Sequence, residues 1–407
     1  MTWRDINHVI AYGQSLASGW DGLPLLDTAA VMDCLMLGDS VRPADEAAPR
    51  FVPAGRAAFR PLAATAQGPL GSTVIESALG YWRRRMPPAN AASGWLLGSA
   101  CGVGGRSIEA LSRGAAPDLF NRLRDCVRLG AATAAAGGLT YTVAALLLLQ
   151  GESNVAGDGT RDRAAYKALL LRLLDDIAEQ TGGLAPVLIG QTSGAYSEDG
   201  MGVPQAQLEV ALERPGVALA APTYPYPEQH GHPDANGQRW LGAQFGKVLH
   251  RVLTLGETWR PLHPLRVERQ GPTVLARFHV PCPPLGVGRP FVGLERAAIA
   301  DAGFTLADSA GPVPLAAVRV EGAASVRLTP AREPLPGPLT LRYADRRHAG
   351  RGALHDSDPA EADDEFTGFP GARYAPADAA ALAGRAYPLV NWCAAFAVPV
   401  TQHGTPG

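Results

Sequence analysis

The segment Gly13–Ala17 places a serine, Ser15, directly after the first apolar run of the chain. A serine at a turn from strand to helix can present its hydroxyl near a helix N-terminus, which favours the negative charge that develops on an attacked carbonyl. The segment differs from a G-x-S-x-G nucleophile elbow because Ala17 stands at the last glycine position and only one strand precedes it. Ser15 is therefore a candidate nucleophile, with simple helix capping as the alternative.

A second block, Gly102–Leu111, contains consecutive glycines after another apolar run. Glycines let backbone N–H groups approach a ligand closely, as an oxyanion hole requires. The block has neither the G-x-G-x-x-G spacing of dinucleotide-binding loops nor the Lys-Ser/Thr of a P-loop. It indicates an oxyanion site near Gly105 or a tight turn without a ligand.

A third block, Gln150–Asn154, follows the most apolar run of the chain. Polar residues at the carboxyl end of a buried parallel strand lie where open α/β sheets bind ligands. An amide there can donate to an oxyanion, and the Glu152 carboxylate can hold a loop by accepting backbone donors. A polar turn without function is the alternative.

The fourth block, Glu228–Gly237, contains two histidines. Histidine is the usual general base for a serine nucleophile at neutral pH, which favours His232. The same stretch also has the H-x-H-x-D spacing of a metal site, formed by His230, His232 and Asp234. Ala235 stands where metallo-β-lactamase-like sequences continue with a further histidine, and this argues against a metal.

Over the first part of the chain, short apolar runs alternate with stretches of helical periodicity, as in a parallel sheet flanked by helices. These elements could position the four blocks. The predicted strands are His8–Tyr12, Gly94–Gly98, Tyr141–Leu149, Pro186–Gly190 and Val217–Pro222. One apolar helix face is predicted at Tyr166, Leu169, Leu170, Leu173, Leu174 and Ile177, with Thr160 as its cap and a stop at Gly182–Gly183. A final helix is predicted from about Asn236 to Leu253.

Composition and length favour a globular protein with more than one domain. The chain has 407 residues, and Lys+Arg 36 against Asp+Glu 38 gives a net charge of −2, which argues against nucleic acid as the main partner. Beyond Leu255 the chain has segments in which every second residue is apolar, and Pro/Gly-rich turns separate these segments. This pattern is typical of antiparallel strands. We therefore predict a catalytic domain over 1–255 and a β-rich accessory domain over 256–407.

The blocks GQSLA, GGRSI and QGESN occur in this order, each after a predicted strand. Together they resemble the SGNH (GDSL-like) hydrolase superfamily, in its sialate O-acetylesterase and carbohydrate acetylesterase branch. The resemblance covers roughly Asn7 to Leu255 and implies a three-layer α/β/α, flavodoxin-like parallel sheet, here followed by a β-sandwich-like domain. That combination resembles some phage and bacterial proteins.

The resemblance also implies roles for the site residues. Ser15 would be the nucleophile and His232 the base, and the N–H groups of Ser15 and Gly105 would form the oxyanion hole. A side-chain amide would complete the hole, with Gln150 favoured over Asn154. The remaining block residues Gln14, Arg106 and Glu152 are expected near the substrate, Arg106 as a partner for an anionic group and Glu152 as a loop organiser.

One position departs from the family pattern. The family places an aspartate three residues before the histidine, and here that position is Gln229. Glutamine can accept a hydrogen bond from the imidazole but cannot stabilise imidazolium by charge. Three interpretations remain open: Glu228 acts as the acid, the enzyme works as a Ser–His dyad, or the site is degenerate.

The functional prediction is a serine esterase that removes short acyl groups, most simply acetyl, from a carbohydrate or polyol, without a metal or organic cofactor. The alternatives are a catalytically weak glycan-binding or phage-tail-associated module and a metal-dependent hydrolase. No Sec-type signal and no bilayer-length apolar run is visible, so we expect a cytoplasmic protein or one released without a Sec signal, with no membrane partner. Five scattered cysteines fit reduced thiols.

Overall fold

The computed structural model describes residues 3–86, 94–183, 185–290, 299–333, 335–372, 374 and 376–402. Within these residues the first half of the chain forms a seven-stranded sheet in the order β3-β2-β4-β1-β5-β6-β7. All neighbouring strands are parallel except β3, which pairs antiparallel with β2 at the edge. The strands are β1 (Ile6–Gly13), β2 (Cys34–Leu37), β3 (Phe59–Pro61), β4 (Trp95–Ala100), β5 (Tyr141–Leu149), β6 (Val187–Gln191) and β7 (Val217–Pro222).

Helices cover both faces of this sheet. Along β1, Ile10 and Tyr12 pack into one core with α4, α6 and α7, while Val9 and Ala11 pack into another with α2 and α8. This alternation confirms the predicted three-layer α/β/α fold. The helices are α1 (Ser15–Ser18), α2 (Val74–Arg85), α3 (Ile108–Leu111), α4 (Asn121–Ala136), α5 (Glu152–Ala156), α6 (Arg163–Gln180), α7 (Gly202–Glu213), α8 (Ala235–Leu249) and α9 (Pro376–Leu382).

The order of the strands places β1 at a switch point. The chain moves from β1 outward to β2 and returns through β4, and then crosses to β5 on the opposite side of β1. Open α/β sheets bind ligands at such a crevice, outside the carboxyl ends of the strands. The residues that follow β1, β4 and β5 therefore meet at one edge of the sheet.

Three local features of the structure differ from the sequence predictions. Helix α6 is capped by Asp162, whose carboxylate accepts the Ala165 N–H at 2.8 Å, and not by Thr160, whose own N–H donates to Glu109. The α-helical part of the last helix ends at Leu249 and continues as a π-helical turn over His250–Thr254. Strands β2 and β3 were not predicted, because they have only four and three residues.

The rest of the chain is rich in strands. In its described part an eight-stranded sheet has the order β14-β13-β17-β21-β10-β11-β16-β15. Phe278 contacts both Phe304 and Phe396, with ring centroids 6.4 and 6.2 Å away, so the sheet folds on itself around an aromatic core, as a β-sandwich-like fold requires. The strands are β8 (Glu228–Gln229), β9 (His232–Pro233), β10 (His263–Gln270), β11 (Thr273–His279), β12 (Gly286–Val287), β13 (Phe304–Asp308), β14 (Gly311–Val313), β15 (Leu315–Glu321), β16 (Ser325–Pro330), β17 (Leu339–Tyr343), β18 (Leu354–His355), β19 (Glu361–Glu365), β20 (Ala386–Pro388) and β21 (Phe396–Gln402).

Buried polar contacts join the two sheets. The Gln191 side chain at the end of β6 donates to the Ala395 carbonyl at 2.9 Å and accepts the Ala395 N–H at 2.8 Å. The buried Lys247 ammonium on α8 donates to Asp358 at 3.0 Å and to Asn391 at 2.9 Å. Among the described helices, none is long and apolar enough to cross a membrane.

Candidate active site

The turn after β1 presents Ser15 at the carboxyl edge of the sheet. Gly13 has a φ of +140°, and a Cβ at this position would lie 1.9 Å from the Leu149 carbonyl oxygen, so only glycine fits. The next residue, Gln14, donates its N–H to that same oxygen at 2.9 Å. Ser15 then begins the short helix α1. The close approach of β1 to β5 therefore fixes where the serine hydroxyl lies.

Ser15 shares a hydrogen bond with a histidine, and the histidine contacts a carboxylate. The distance from Ser15 Oγ to His232 Nε2 is 2.8 Å, and the distance from His232 Nδ1 to Asp21 Oδ2 is 3.1 Å. In the tautomer that carries hydrogen on Nδ1, His232 donates to Asp21 and accepts from Ser15. This hydroxyl–imidazole–carboxylate arrangement can activate a serine for attack on an ester.

A hairpin positions His232. Strands β8 and β9 pair Gln229 with His232 around a two-residue turn, in which His230 and Gly231 both have positive φ, 52° and 83°. Two-residue hairpin turns of this kind require positive φ at both central positions. A Cβ on Gly231 would lie 2.7 Å from the Tyr196 ring, so this glycine also permits close packing beneath the histidine.

The surroundings of His232 favour the neutral imidazole. Burial lowers the pKa of His232, the Asp21 carboxylate opposes this effect, and the exposed His230 adds a smaller lowering. The rings of Trp20 and Tyr196 lie 6.2 and 6.4 Å from the imidazole, between centroids. A neutral histidine at physiological pH is the form that can accept the serine proton.

The acid beside His232 is not the residue that sequence reasoning chose. The Glu228 carboxylate accepts a hydrogen bond from Arg351 at 2.7 Å, and no contact of Glu228 with His232 is found among the described residues. Gln229, at the position where the family has aspartate, donates instead to the Asp21 backbone carbonyl at 3.4 Å. The geometry thus replaces Glu228 by Asp21 and leaves Gln229 as a support for the Asp21 loop.

The second block borders the serine. Gly104 and Gly105 line the same cavity as Ser15, and Gly105 has a φ of +68°. No acceptor for the Gly105 N–H is found among the described residues. Ser15 and Gly105 are therefore near each other as predicted, and the free N–H of Gly105 is available to an oxyanion.

Neither predicted side-chain amide is available to a ligand. Gln150 is buried, accepts from the Tyr166 hydroxyl at 2.6 Å and donates to Asn154 at 2.7 Å. The Asn154 amide donates to Glu109 and to the Thr160 carbonyl, and its oxygen also accepts the Ile108 N–H. These contacts hold the second and third blocks together, so the structure gives both residues a positioning task and not the oxyanion contact expected from the sequence.

The remaining predicted site residues, Gln14, Arg106 and Glu152, lie in different environments. Gln14 lines the cavity, and its side-chain oxygen accepts the Ser153 N–H at 2.9 Å, which ties the first block to the third. Arg106 is exposed and does not border the cavity, so the structure does not bring this cation to the site. Glu152, the residue before Ser153, is fully buried and does not border the cavity.

The environment of the Glu152 carboxyl group is unusual for a residue expected to organise a loop. Neither of its oxygens has a hydrogen-bond partner among the described residues, and burial raises the pKa of Glu152 to about 7. The unfolded carboxyl ionises near its ordinary value of 4.5, so between these two values the folded state holds a proton that the unfolded state has lost. Folding stability should therefore fall as pH rises through this window.

We expect Glu152→Gln to remove this pH dependence. Between pH 5 and pH 8 the free energy of unfolding of the wild type should fall relative to that of the variant, by on the order of 2 kcal/mol. Urea denaturation of both proteins at the two pH values measures the difference. If the two proteins change in parallel, the Glu152 carboxyl does not titrate in this range.

A cavity of about 570 Å³ opens above Ser15 and His232. This volume is in the range of sites for small organic ligands. Aromatic and polar side chains share its wall, and burial raises the pKa of Tyr196 to about 12, so its hydroxyl remains a hydrogen-bond donor. The lining residues are Gln14, Ser15, Trp20, Glu46, Gly104, Gly105, Ser153, Ala156, Gly157, Tyr196 and His232.

The metal-site alternative does not match the geometry. Asp234 caps α8 by accepting the Gly237 N–H at 2.8 Å, and it also accepts the Tyr374 hydroxyl at 2.7 Å. His232 is committed to Ser15 and Asp21, and His230 is exposed. Among the described residues, these three side chains do not converge on one point as metal ligands would.

Sequence reasoning missed six residues of the site: Trp20, Asp21, Glu46, Ala156, Gly157 and Tyr196. The available signal was the Asp21-Gly22 pair, since Asp-Gly marks a turn and this turn lies six residues after the serine. The family pattern directed the search to the residues just before His232. Glu46 lies in a loop and Tyr196 ends a one-turn 3-10 helix, Gly194–Tyr196, and no local pattern marks either residue.

Comparison with known protein families agrees with this geometry. Residues 96–251 match the family model described as carbohydrate esterase, sialic acid-specific acetylesterase. The match includes two of the three sequence blocks, GGRSI and QGESN, and supports the resemblance to carbohydrate esterases, which are carboxylic ester hydrolases. No curated protein sequence matches the chain significantly.

A solved structure with a TM-score above 0.5 shares the fold of this chain, and two others align with lower scores. A carbohydrate acetylesterase from Xanthomonas citri aligns over 96% of this chain and 80% of its own, with a TM-score of 0.60 and 16% identity. A family two carbohydrate esterase from Clostridium thermocellum aligns over 61% and 64%, with a TM-score of 0.31 and 12% identity. A carbohydrate acetylesterase from Sinorhizobium meliloti aligns over 61% and 99%, with a TM-score of 0.32 and 12% identity. The first similarity extends through both sheets of the chain.

Proposed function

We propose that this protein is a serine acetylesterase that removes acetyl groups from an O-acetylated carbohydrate. The observation that carries the proposal is the continuous contact from Ser15 through His232 to Asp21 at the floor of the cavity. The family match over 96–251 and the fold shared with the Xanthomonas citri acetylesterase support the substrate class.

In the proposed reaction, Ser15 Oγ attacks the acetyl carbonyl while His232 Nε2 takes its proton. The N–H groups of Ser15 and Gly105 stabilise the oxyanion, and Asp21 stabilises the imidazolium that forms. Collapse of the tetrahedral intermediate breaks the ester bond, and His232 returns the proton to the departing sugar oxygen. Water, deprotonated by the same histidine, then attacks the acetyl-serine and releases acetate.

The glycan-binding alternative rested on a missing acid. The contact of Asp21 with His232 Nδ1 offers an acid that does not depend on position 229, and this supports an active esterase over a degenerate site. A phage-tail-associated role for the β-rich region remains compatible with an active esterase. Such a role predicts nothing about the cavity that differs from the esterase proposal.

The direct test combines a covalent probe with turnover. We expect an organophosphonate to label Ser15, and p-nitrophenyl acetate to be hydrolysed faster than the butyrate and octanoate esters. Turnover should be insensitive to EDTA, and acetate should be released from an acetylated monosaccharide. Mass spectrometry of the labelled peptide identifies the serine. Absence of both labelling and acetate release would exclude the esterase, and loss of turnover with EDTA would favour a metal enzyme.

A further inference from the structure

Resting on the proposed function, we infer that Glu46 determines the substrate class of the site. Its carboxylate accepts hydroxyl groups of an uncharged acetylated sugar and repels sugars that carry a carboxylate, such as sialic acids. The residue lines the cavity above Ser15 and His232.

The backbone that carries Glu46 is firmly held. Arg122 is fully buried and donates to the backbone carbonyl of Glu46, to that of Ala48 at 2.6 Å and to that of Gly102 at 2.7 Å. The same guanidinium thus joins the Glu46 segment to the glycine loop that contains Gly105. A side chain on so well anchored a backbone can hold a ligand in a defined position relative to the oxyanion site.

The Glu46 carboxylate, unlike the Glu46 backbone, has no hydrogen-bond donor among the described residues. Among the described residues no hydrogen bond or ion pair holds its oxygens, and the side chain is half-buried at the cavity wall. The guanidinium of Arg122 cannot serve a ligand there, because its donors are committed to backbone carbonyls. A half-buried carboxylate without a partner is suited to accept hydrogen bonds from a polyhydroxy ligand.

The charge of the wall follows from its composition. Within the described structure the cavity lining contains Glu46 and no Lys or Arg, and Asp21 lies just behind His232. The cations nearest to Glu46, Arg42 and Arg122, interact with it electrostatically, but both are buried and donate to backbone carbonyls. A substrate carboxylate beside Glu46 would therefore meet like charge in a partly desolvated place, without a cation free to pair with it. Recognition of an anionic sugar would instead require a cation such as Arg106, and Arg106 lies outside the lining.

Trp20 adds a surface for an uncharged sugar. Its ring borders the cavity and lies 6.2 Å from the His232 ring, between centroids. The face of an indole packs well against the apolar C–H face of a pyranose, while the hydroxyls at the sugar's rim need acceptors. Trp20 and Glu46 together supply both contacts on the wall of one cavity.

The test compares three esters on four proteins. The esters are a mono-acetylated methyl glucoside, a 9-O-acetylated sialic acid and p-nitrophenyl acetate. The proteins are the wild type, Glu46→Gln, Glu46→Lys and the matched control Arg106→Gln. We expect wild-type kcat/KM to be at least about tenfold higher on the glucoside than on the sialic acid ester.

Glu46→Gln should lower kcat/KM on the glucoside about five- to tenfold, mainly through KM, because a charged acceptor is lost. Glu46→Lys should narrow or reverse the preference between the two sugars. Thermal unfolding of both variants, compared with that of the wild type, shows whether they fold. Arg106→Gln should leave the sugar preference unchanged.

A preference for the sialic acid ester that disappears in Arg106→Gln would overturn the inference. It is also overturned if the ratio between the two sugars is the same in the wild type and in both Glu46 variants. In either case Ser15-dependent hydrolysis of p-nitrophenyl acetate would leave the esterase proposal intact. If the wild type hydrolyses none of the three esters, the esterase proposal itself fails.

Discussion

Replacing Ser15 with alanine should reduce kcat for ester hydrolysis at least about 10⁴-fold, because Ser15 is the hydroxyl that hydrogen-bonds to His232 Nε2 in the described structure. Ser15 is buried at the start of α1, and alanine fits a helical backbone without strain, so the variant should fold as the wild type does. Initial rates on p-nitrophenyl acetate measure the loss. Thermal unfolding of the same sample provides the control.

The companion variant His232→Ala should lose a similar amount, since nucleophile and base act as a unit and their effects do not add. The double variant should therefore be no slower than either single one. If Ser15→Ala retained more than about a tenth of the activity, the nucleophile would have to be another residue, and the proposed mechanism would be wrong.

Replacing Asp21 with asparagine should lower kcat about 10²- to 10⁴-fold. The asparagine keeps the size of the side chain but cannot stabilise imidazolium by charge, and it permits the wrong tautomer of His232. The matched control is Glu228→Gln, which should stay within about threefold of the wild type, because Glu228 contacts Arg351 and not the imidazole. Steady-state kinetics of both variants separate the two carboxylates.

The pH profile provides an independent readout for Asp21. The Asp21 carboxylate holds the pKa of His232 up against the lowering effect of burial. Without that charge the imidazole should lose its proton at lower pH, so the acid limb of the kcat/KM profile should move to lower pH in Asp21→Asn. If Glu228→Gln shifts the profile and Asp21→Asn does not, the acid is Glu228.

The sheet and the serine–histidine contact could be predicted from sequence because each depends on a strong local pattern. Strands β5 and β7 have the predicted bounds, since both are continuous apolar runs buried in a parallel sheet. Ser15 comes just after the buried strand β1, and His232 lies in the hairpin that follows β7 along the chain. Their spacing in the chain is large, but the carboxyl ends of parallel strands bring them to one edge.

The acid and the amide contacts could not be predicted, because they depend on loop conformations. Asp21 reaches His232 only because its own backbone has a φ of +58°, which no apolar pattern marks. Gln150 and Asn154 have the right chemistry for an oxyanion, but Tyr166 and Glu109, far along the chain from each other, engage them first. Competition between partners for one amide is decided by packing, which a motif does not contain.

The predicted boundary at residue 255 falls across a set of contacts that belong to both halves of the chain. Lys247 precedes that boundary, while Asp358 and Asn391, its buried partners, follow it. A fragment that ended at the boundary would lose the groups that cover and pair with the Lys247 ammonium, and the Gln191 side chain would lose the Ala395 backbone. The two sheets are thus expected to melt in one cooperative transition, and the shorter fragment is a poor choice for an independently expressed catalytic unit.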